Sequence, residues 1–127
     1  MKPTVSISAA EAEVMEVLWR HNSPTGTDEI IAALARQRQW HESTIKTLLE
    51  RLRKKGAIRA SKDGRRYLYS PVLKRDEWVA RESAGLLDRL FDGRVTPFVA
   101  HFSRHRKLAR RDIDELKRLI EELDDDR

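Results

Sequence analysis

Glu42-Ser43-Thr44-Ile45-Lys46-Thr47-Leu48-Leu49-Glu50-Arg51-Leu52-Arg53-Lys54-Lys55-Gly56, continued from Ala57 to Tyr69, is the stretch that decides the fold. Ile45, Leu48, Leu49 and Leu52 recur at i, i+3, i+4 and i+7, so they form one apolar stripe of a helix that must face a core. At about 100° per residue, the opposite face presents Ser43, Thr47, Glu50 and Lys54, flanked by Lys46 and Arg51. Gly56 is a natural residue to stop such a helix, because it accepts the left-handed conformation that follows the last turn. Short hydroxyls near a helix start, with long cations around and beyond it, suit a helix docked in a DNA major groove. Small polar groups there reach base edges while Lys and Arg hold phosphates.

The continuation reads Ala57-Ile58-Arg59-Ala60-Ser61, then Lys62-Asp63-Gly64-Arg65-Arg66, then Tyr67-Leu68-Tyr69-Ser70-Pro71. Asp63-Gly64 between two short β-capable runs predicts a hairpin, since glycine supplies the positive φ of a tight turn. Pro71 ends the second strand or confines it to a sheet edge. Lys62, Arg65 and Arg66 gather at the tip, where there is no core to use them. A helix followed at once by a hairpin with a cationic tip is the second half of a winged helix-turn-helix.

Upstream, Ser8-Ala9-Ala10-Glu11 is a capping-box pattern that opens a first helix running to about His21, with Val14, Val17 and Leu18 as its core residues. Asn22-Ser23-Pro24 breaks it, and Thr25 or Thr27 is placed to cap a second helix with Ile30, Ile31 and Leu34 facing inward. Trp40 reads as a packing anchor before the third helix. Residues 1–73 therefore form the expected winged-helix domain.

Residues 74–127 read as an all-helical region of about three helices. Trp78, Leu86, Leu87, Leu90 and Phe91 give the first a broad apolar face, ended by Gly93. Thr96-Pro97 is expected to start the next, with Phe98, Val99 and Phe102 as its apolar members. The last, from about Arg110, places Ile113, Leu116, Leu119, Ile120 and Leu123 at heptad-like spacing. So few residues cannot bury such wide stripes alone, and the expected cover is the same segment of a second copy, since two-fold dimers dominate soluble oligomers; the alternative is that the segment folds back on the first half.

Charge separates the halves. Residues 1–73 hold 13 Lys/Arg against 8 Asp/Glu, residues 74–127 hold 13 of each, and residues 42–66 alone hold nine basic against three acidic side chains. Such a local excess attracts a polyanion by counterion release. The acidic run Asp124-Asp125-Asp126 reads as a solvated helix end. No apolar run approaches a membrane span, and nothing after Met1-Lys2-Pro3-Thr4 resembles an export signal, so the chain is expected to be cytoplasmic.

The chain resembles the penicillinase-repressor family of bacterial transcription factors (the BlaI, MecI and CopY type). The resemblance rests on Ala10 to Trp19, on Thr44 to Leu52 with Lys55-Gly56, on Asp63 to Pro71, and on Leu87 to Gly93 with Val99-Ala100-His101-Phe102. It implies a homodimer whose winged helices bind double-stranded DNA at an inverted-repeat operator, joined by intertwined C-terminal helices, repressing a resistance-type gene such as a β-lactamase. Ser43, Thr44, Lys46, Thr47 and Arg51 would be its groove and backbone contacts, with Lys54 and Lys62 adding charge and Arg65 and Arg66 serving the wing. In the β-lactam branch a sensor-linked protease cuts the C-terminal half near the position of His101-Phe102, where cut members tend to carry Asn in place of His101. The copper-responsive branch carries a Cys-rich tail, and this chain has no cysteine.

Catalytic chemistry is absent from the pattern. The five glycines form no phosphate loop, and no nucleophile sits in a catalytic context. His101 and His105 share metal-ligand spacing, but Phe102 stands where a zinc-protease motif needs Glu, so neither metal nor cofactor is expected. Two other readings use the same fold: a protein-interaction adaptor without sequence-specific DNA binding, and an RNA-binding winged helix. An adaptor face should be poorer in Lys and richer in aromatics than this hydroxylic, cationic one. Paired recognition helices suit duplex DNA better than RNA.

Overall fold

The computed structural model describes residues 5–105 and 108–125, so the expectations for Met1 to Thr4 and for Asp126 lie outside the described residues. Its elements run α1 (Ala9–Arg20), β1 (Thr25–Gly26), α2 (Thr27–Arg38), α3 (Glu42–Lys55), β2 (Ile58–Asp63), β3 (Arg66–Pro71), α4 (Arg75–Phe91), α5 (Val95–His105) and α6 (Arg110–Asp125). The backbone divides into two compact units, Met1–Val79 and Ala80–Arg127. The mainly helical winged-helix class read from the sequence is the class observed.

In the first unit, α1 begins on the expected capping box. The Ser8 amide donates to Glu11 Oε1 at 2.7 Å, and the Glu11 amide donates to Ser8 Oγ at 3.1 Å. Val14, Met15, Val17 and Leu18 of α1 are buried together with Ile30 and Leu34 of α2 and with Ile45, Leu48, Leu49 and Leu52 of α3. Deleting one such leucine to alanine would cost about 2–5 kcal/mol. Trp40 packs half-buried against this core, as its position before α3 suggests.

The sheet holds three antiparallel strands in the order β1-β3-β2. The hairpin is as expected, with Asp63 opposite Arg66, which leaves Gly64-Arg65 as the two-residue turn. Gly64 sits at φ 67° in the first turn position, where a II′ turn calls for glycine. The third strand, β1, was not legible: Thr25 and Gly26 pair with Tyr69 and Leu68. That pairing decides the cap of α2. Thr25 is buried in the sheet with its hydroxyl on the Ser23 carbonyl at 3.1 Å, so Gly26 is the N-cap and neither threonine supplies a side-chain cap.

The first unit extends into α4. The Trp19 indole N–H donates to the Leu73 carbonyl at 2.9 Å, and its ring stacks on Trp78 at 5.5 Å between centroids. Trp78, expected on the association surface, thus packs within the winged-helix unit.

In the second unit, Phe91 and Phe98 meet edge to face at 5.5 Å, and Phe98 and Phe102 at 4.9 Å. Helix α5 starts at Val95 rather than after Thr96, which puts Pro97 third in the helix. A missing N–H costs nothing there, because the first amides of a helix have no internal partner. No described residue of α4, α5 or α6 is fully buried.

Candidate nucleic-acid interface

Helix α3 buries its apolar stripe and leaves the opposite face open: Ser43, Thr44, Lys46, Thr47, Glu50, Arg51 and Lys54 are all exposed. Gly56 ends it at φ 79°, its N–H bonding back to the Arg53 and Leu52 carbonyls, and the chain turns directly into β2. The structure therefore brings the predicted side chains of α3 onto one surface. Thr47 Oγ1 donates to the Ser43 carbonyl at 2.9 Å, so its proton is engaged within the helix while the oxygen keeps its acceptor lone pairs. Lys46 Nζ lies 3.6 Å from Glu42 Oε2, one turn earlier. Arg51 and Lys54 enter no ion pair among the described residues.

The wing carries its cations in three different ways. Lys62 Nζ sits 5.4 Å above the Tyr67 ring, Arg65 occupies the exposed turn, and Arg66 Nη2 reaches Glu29 Oε1 at 3.4 Å. Arg66 is thus drawn toward the start of α2 rather than splayed from the tip. Its guanidinium also occupies the space in which a side chain at Gly26 would begin, 2.5 Å from that Cβ position. Between the flank of α3 and the hairpin lies an open groove of about 940 Å³, lined by Glu50, Arg53, Ile58, Arg59, Ala60, Tyr67, Tyr69 and Val72.

Two ion pairs shape this surface, and the sequence reading missed both. Arg53 grips Glu50 with two hydrogen bonds, Nε to Oε2 at 3.0 Å and Nη2 to Oε1 at 2.6 Å. Those bonds hold the Glu50 carboxyl below its ordinary value against the opposing push of desolvation, and they raise Arg53 in turn. The i, i+3 spacing was the available signal. The other pair had none, since its partners are 44 residues apart: Lys55 Nζ donates to Glu11 Oε1 at 2.6 Å and to the Ser6 carbonyl at 3.0 Å. Burial pushes the Glu11 carboxyl up, but the bonds from Lys55 and from the Ser8 amide outweigh it and keep it below its ordinary value. Lys55 is consumed in positioning α3 and is not part of the cationic face.

The residues predicted for association fall in two groups. Leu86, Leu87, Phe91, Phe98, Val99, Phe102, Ile113 and Leu116 are half-buried, whereas Leu90, Leu119, Ile120 and Leu123 are 52–66% exposed. An open cavity of about 390 Å³ between α4 and α5 is walled by Leu86, Leu87, Val95 and Phe98. Among the described residues, no helix is long and apolar enough to cross a membrane.

Comparison with known proteins agrees with this architecture. The first unit is similar to the solution structure of the DNA binding domain of the repressor BlaI, with TM-score 0.55 and 43% identity over 61% of this chain and 93% of that one. It is also similar to the Bacillus licheniformis BlaI monomeric form solved in complex with the blaP half-operator, with TM-score 0.52, 43% identity and the same coverage. Along the whole chain, the penicillinase repressor of Bacillus licheniformis is 37% identical over 96% of this chain and 94% of its own. The methicillin resistance regulatory protein MecI of Mammaliicoccus sciuri is 30% identical over 92% and 94%. With the penicillinase repressor family model matching residues 7–122 as well, the chain belongs to that family, which is one of transcriptional repressors and not of enzymes.

Proposed function

We propose that two copies of this chain bind an inverted-repeat operator in duplex DNA and repress a resistance-type gene such as a β-lactamase. The observation that carries this reading is the open face of α3, where Ser43, Thr44, Thr47, Arg51 and Lys54 are exposed together on a helix anchored by four buried aliphatic residues. The hydroxyls would meet base edges, and Lys46, Arg51, Lys54 and the wing residues Lys62, Arg65 and Arg66 would hold phosphates. The similarity to a BlaI monomer solved on a half-operator supports assigning each copy one half of the site.

The second unit supplies the reason for two copies. Leu90, Leu119, Ile120 and Leu123 stand more than half exposed on amphipathic helices, an area that a monomer would leave wet. A second copy covers it with the same surface and sets two recognition helices about 34–36 Å apart, one DNA turn. Repression is then occupancy: the bound pair blocks polymerase. The signal that releases the pair is open; were it cleavage in the second unit by a sensor-linked protease near His101-Phe102, that stretch, which lies within α5, would have to unwind before it could be cut.

Selection of random duplex DNA by the purified chain at moderate salt tests the reading. Enrichment of a gapped palindrome is the expected outcome. A chain that sediments as a monomer and enriches no sequence at any ionic strength refutes it.

A further inference from the structure

The open face of α3 holds a group that an anionic partner should repel. Glu50 lies two turns beyond Ser43 and one beyond Thr47, in line with the hydroxyls that face outward, and it is about half exposed. A bare carboxylate among DNA phosphates lowers affinity for every sequence, so its presence there calls for a compensating partner.

We propose that Glu50, held in place by Arg53, is the specificity-determining residue of this chain for a cytosine in each half-site. The inference rests on the operator-binding reading above and adds to it a residue and a base. Its physical basis is the donor and acceptor pattern of the major groove. Cytosine shows an amino donor there with no acceptor beside it. Guanine shows two acceptors, thymine an acceptor and a methyl group, and adenine an amino donor next to the N7 acceptor. An acceptor-only carboxylate fits the cytosine edge, faces only acceptors on guanine, meets an acceptor and a methyl on thymine, and on adenine finds its donor beside the unfavourable N7.

The geometry makes Glu50 usable for this. The two bonds from Arg53, at 3.0 and 2.6 Å, take one lone pair on each oxygen, and an ionised carboxylate has about four such sites. Acceptor capacity remains for a base amino group. The pair as a whole is neutral, which removes most of the general repulsion from the phosphates, and the fork of Arg53 fixes the plane of the carboxylate. Arg53 does not itself touch the base. It is a positioning residue, seated on the groove lined by Tyr67 and Tyr69. Discrimination by a repulsive element of this kind is worth as much as an attractive contact, because specificity is a difference between partners.

The test is duplex selection with the full-length chain and its Glu50→Gln, Glu50→Ala and Arg53→Ala variants, all at exposed helix positions, with thermal melting to verify the fold. The wild-type chain should require cytosine at one position per half-site, with any other base weakening binding by roughly 5- to 150-fold. Glu50→Gln should change that single preference to adenine, whose N6 and N7 an amide can bind together. Glu50→Ala should level the position to within about twofold and bind unrelated duplex more tightly, since Arg53 is then left as an uncompensated cation. Arg53→Ala should blur the cytosine preference while preferences at the Thr47 positions persist, which a merely structural role would not produce. Folded Glu50 variants with the wild-type preference at every position would overturn the proposal and leave operator binding intact. A wild-type chain that enriches nothing would overturn both.

Discussion

Lys55 Nζ lies 2.6 Å from Glu11 Oε1, which joins the last turn of α3 to the first turn of α1. The Glu11 side chain is 2% exposed and that of Lys55 39%. Glu11 serves twice, closing the capping box on Ser8 and receiving the lysine, so the orientation of α3 depends on the start of the chain's first helix.

The stability of this joint should depend on pH with a definite sign. The folded-state value of Glu11 is lowered from 4.5, so its contribution is fully present above 4.5 and is lost as pH falls through the lower folded value. Glu11→Gln should cost about 1–3 kcal/mol at neutral pH, because it weakens a hydrogen bond to a charged group at a buried site. The gap between wild type and variant should close in acid. Urea denaturation at pH 7 and well below 4.5 measures both, and a gap independent of pH would show that the Glu11 carboxylate does not contribute as charge.

Thr47→Ala should separate recognition from folding. The hydroxyl is exposed and bonds only to the Ser43 carbonyl within its own helix, and alanine is the better helix former. Melting temperature should hold or rise slightly, while operator affinity falls by about 1–3 kcal/mol with preference relaxed at one base pair. Equal loss on operator and unrelated duplex would show that Thr47 reads no base.

The two wing arginines should differ from Thr47 and from each other. Arg65→Ala should weaken binding to all duplexes alike and reduce the slope of log affinity against log salt by about 1. Arg66 is engaged with Glu29 at 3.4 Å, so part of its charge is already compensated. Its removal should change the slope less than that of Arg65, and Glu29→Gln should steepen it. Salt titrations of the three variants decide the order, and identical slopes for both arginine variants would refute a role for Glu29.

How much of this was readable beforehand follows the range of the interactions. The capping box, the stripe of Ile45, Leu48, Leu49 and Leu52, the Gly56 stop and the Gly64 turn are local patterns with fixed spacing, and each appears where its residues put it. Strand β1 is two residues long and exists only because β3 offers an edge to Thr25 and Gly26, so no period could announce it. The same pairing explains why Thr25 is not a cap. Lys55 looked like one more cation in a basic run, and only the tertiary approach of Glu11 removes it from that set. Trp78 shares the helical period of the α4 apolar face, yet it lies where α4 still belongs to the first unit, against Trp19.

The apolar surface of the second unit gives the sharpest test of the two-copy reading. Ile120 is 61% exposed and Leu123 60%, so neither supports its own helix by burial. Ile120→Glu with Leu123→Glu should therefore leave helical content unchanged while placing two charges where a second copy would seat. Sedimentation should convert from dimer to monomer. Affinity for a full inverted repeat should fall by roughly 10²- to 10⁴-fold, the contribution of tethering two half-site contacts, while affinity for an isolated half-site stays the same. A double variant that remains dimeric would move the association surface away from α6, and one that becomes monomeric yet binds the full repeat undiminished would remove the need for two joined copies.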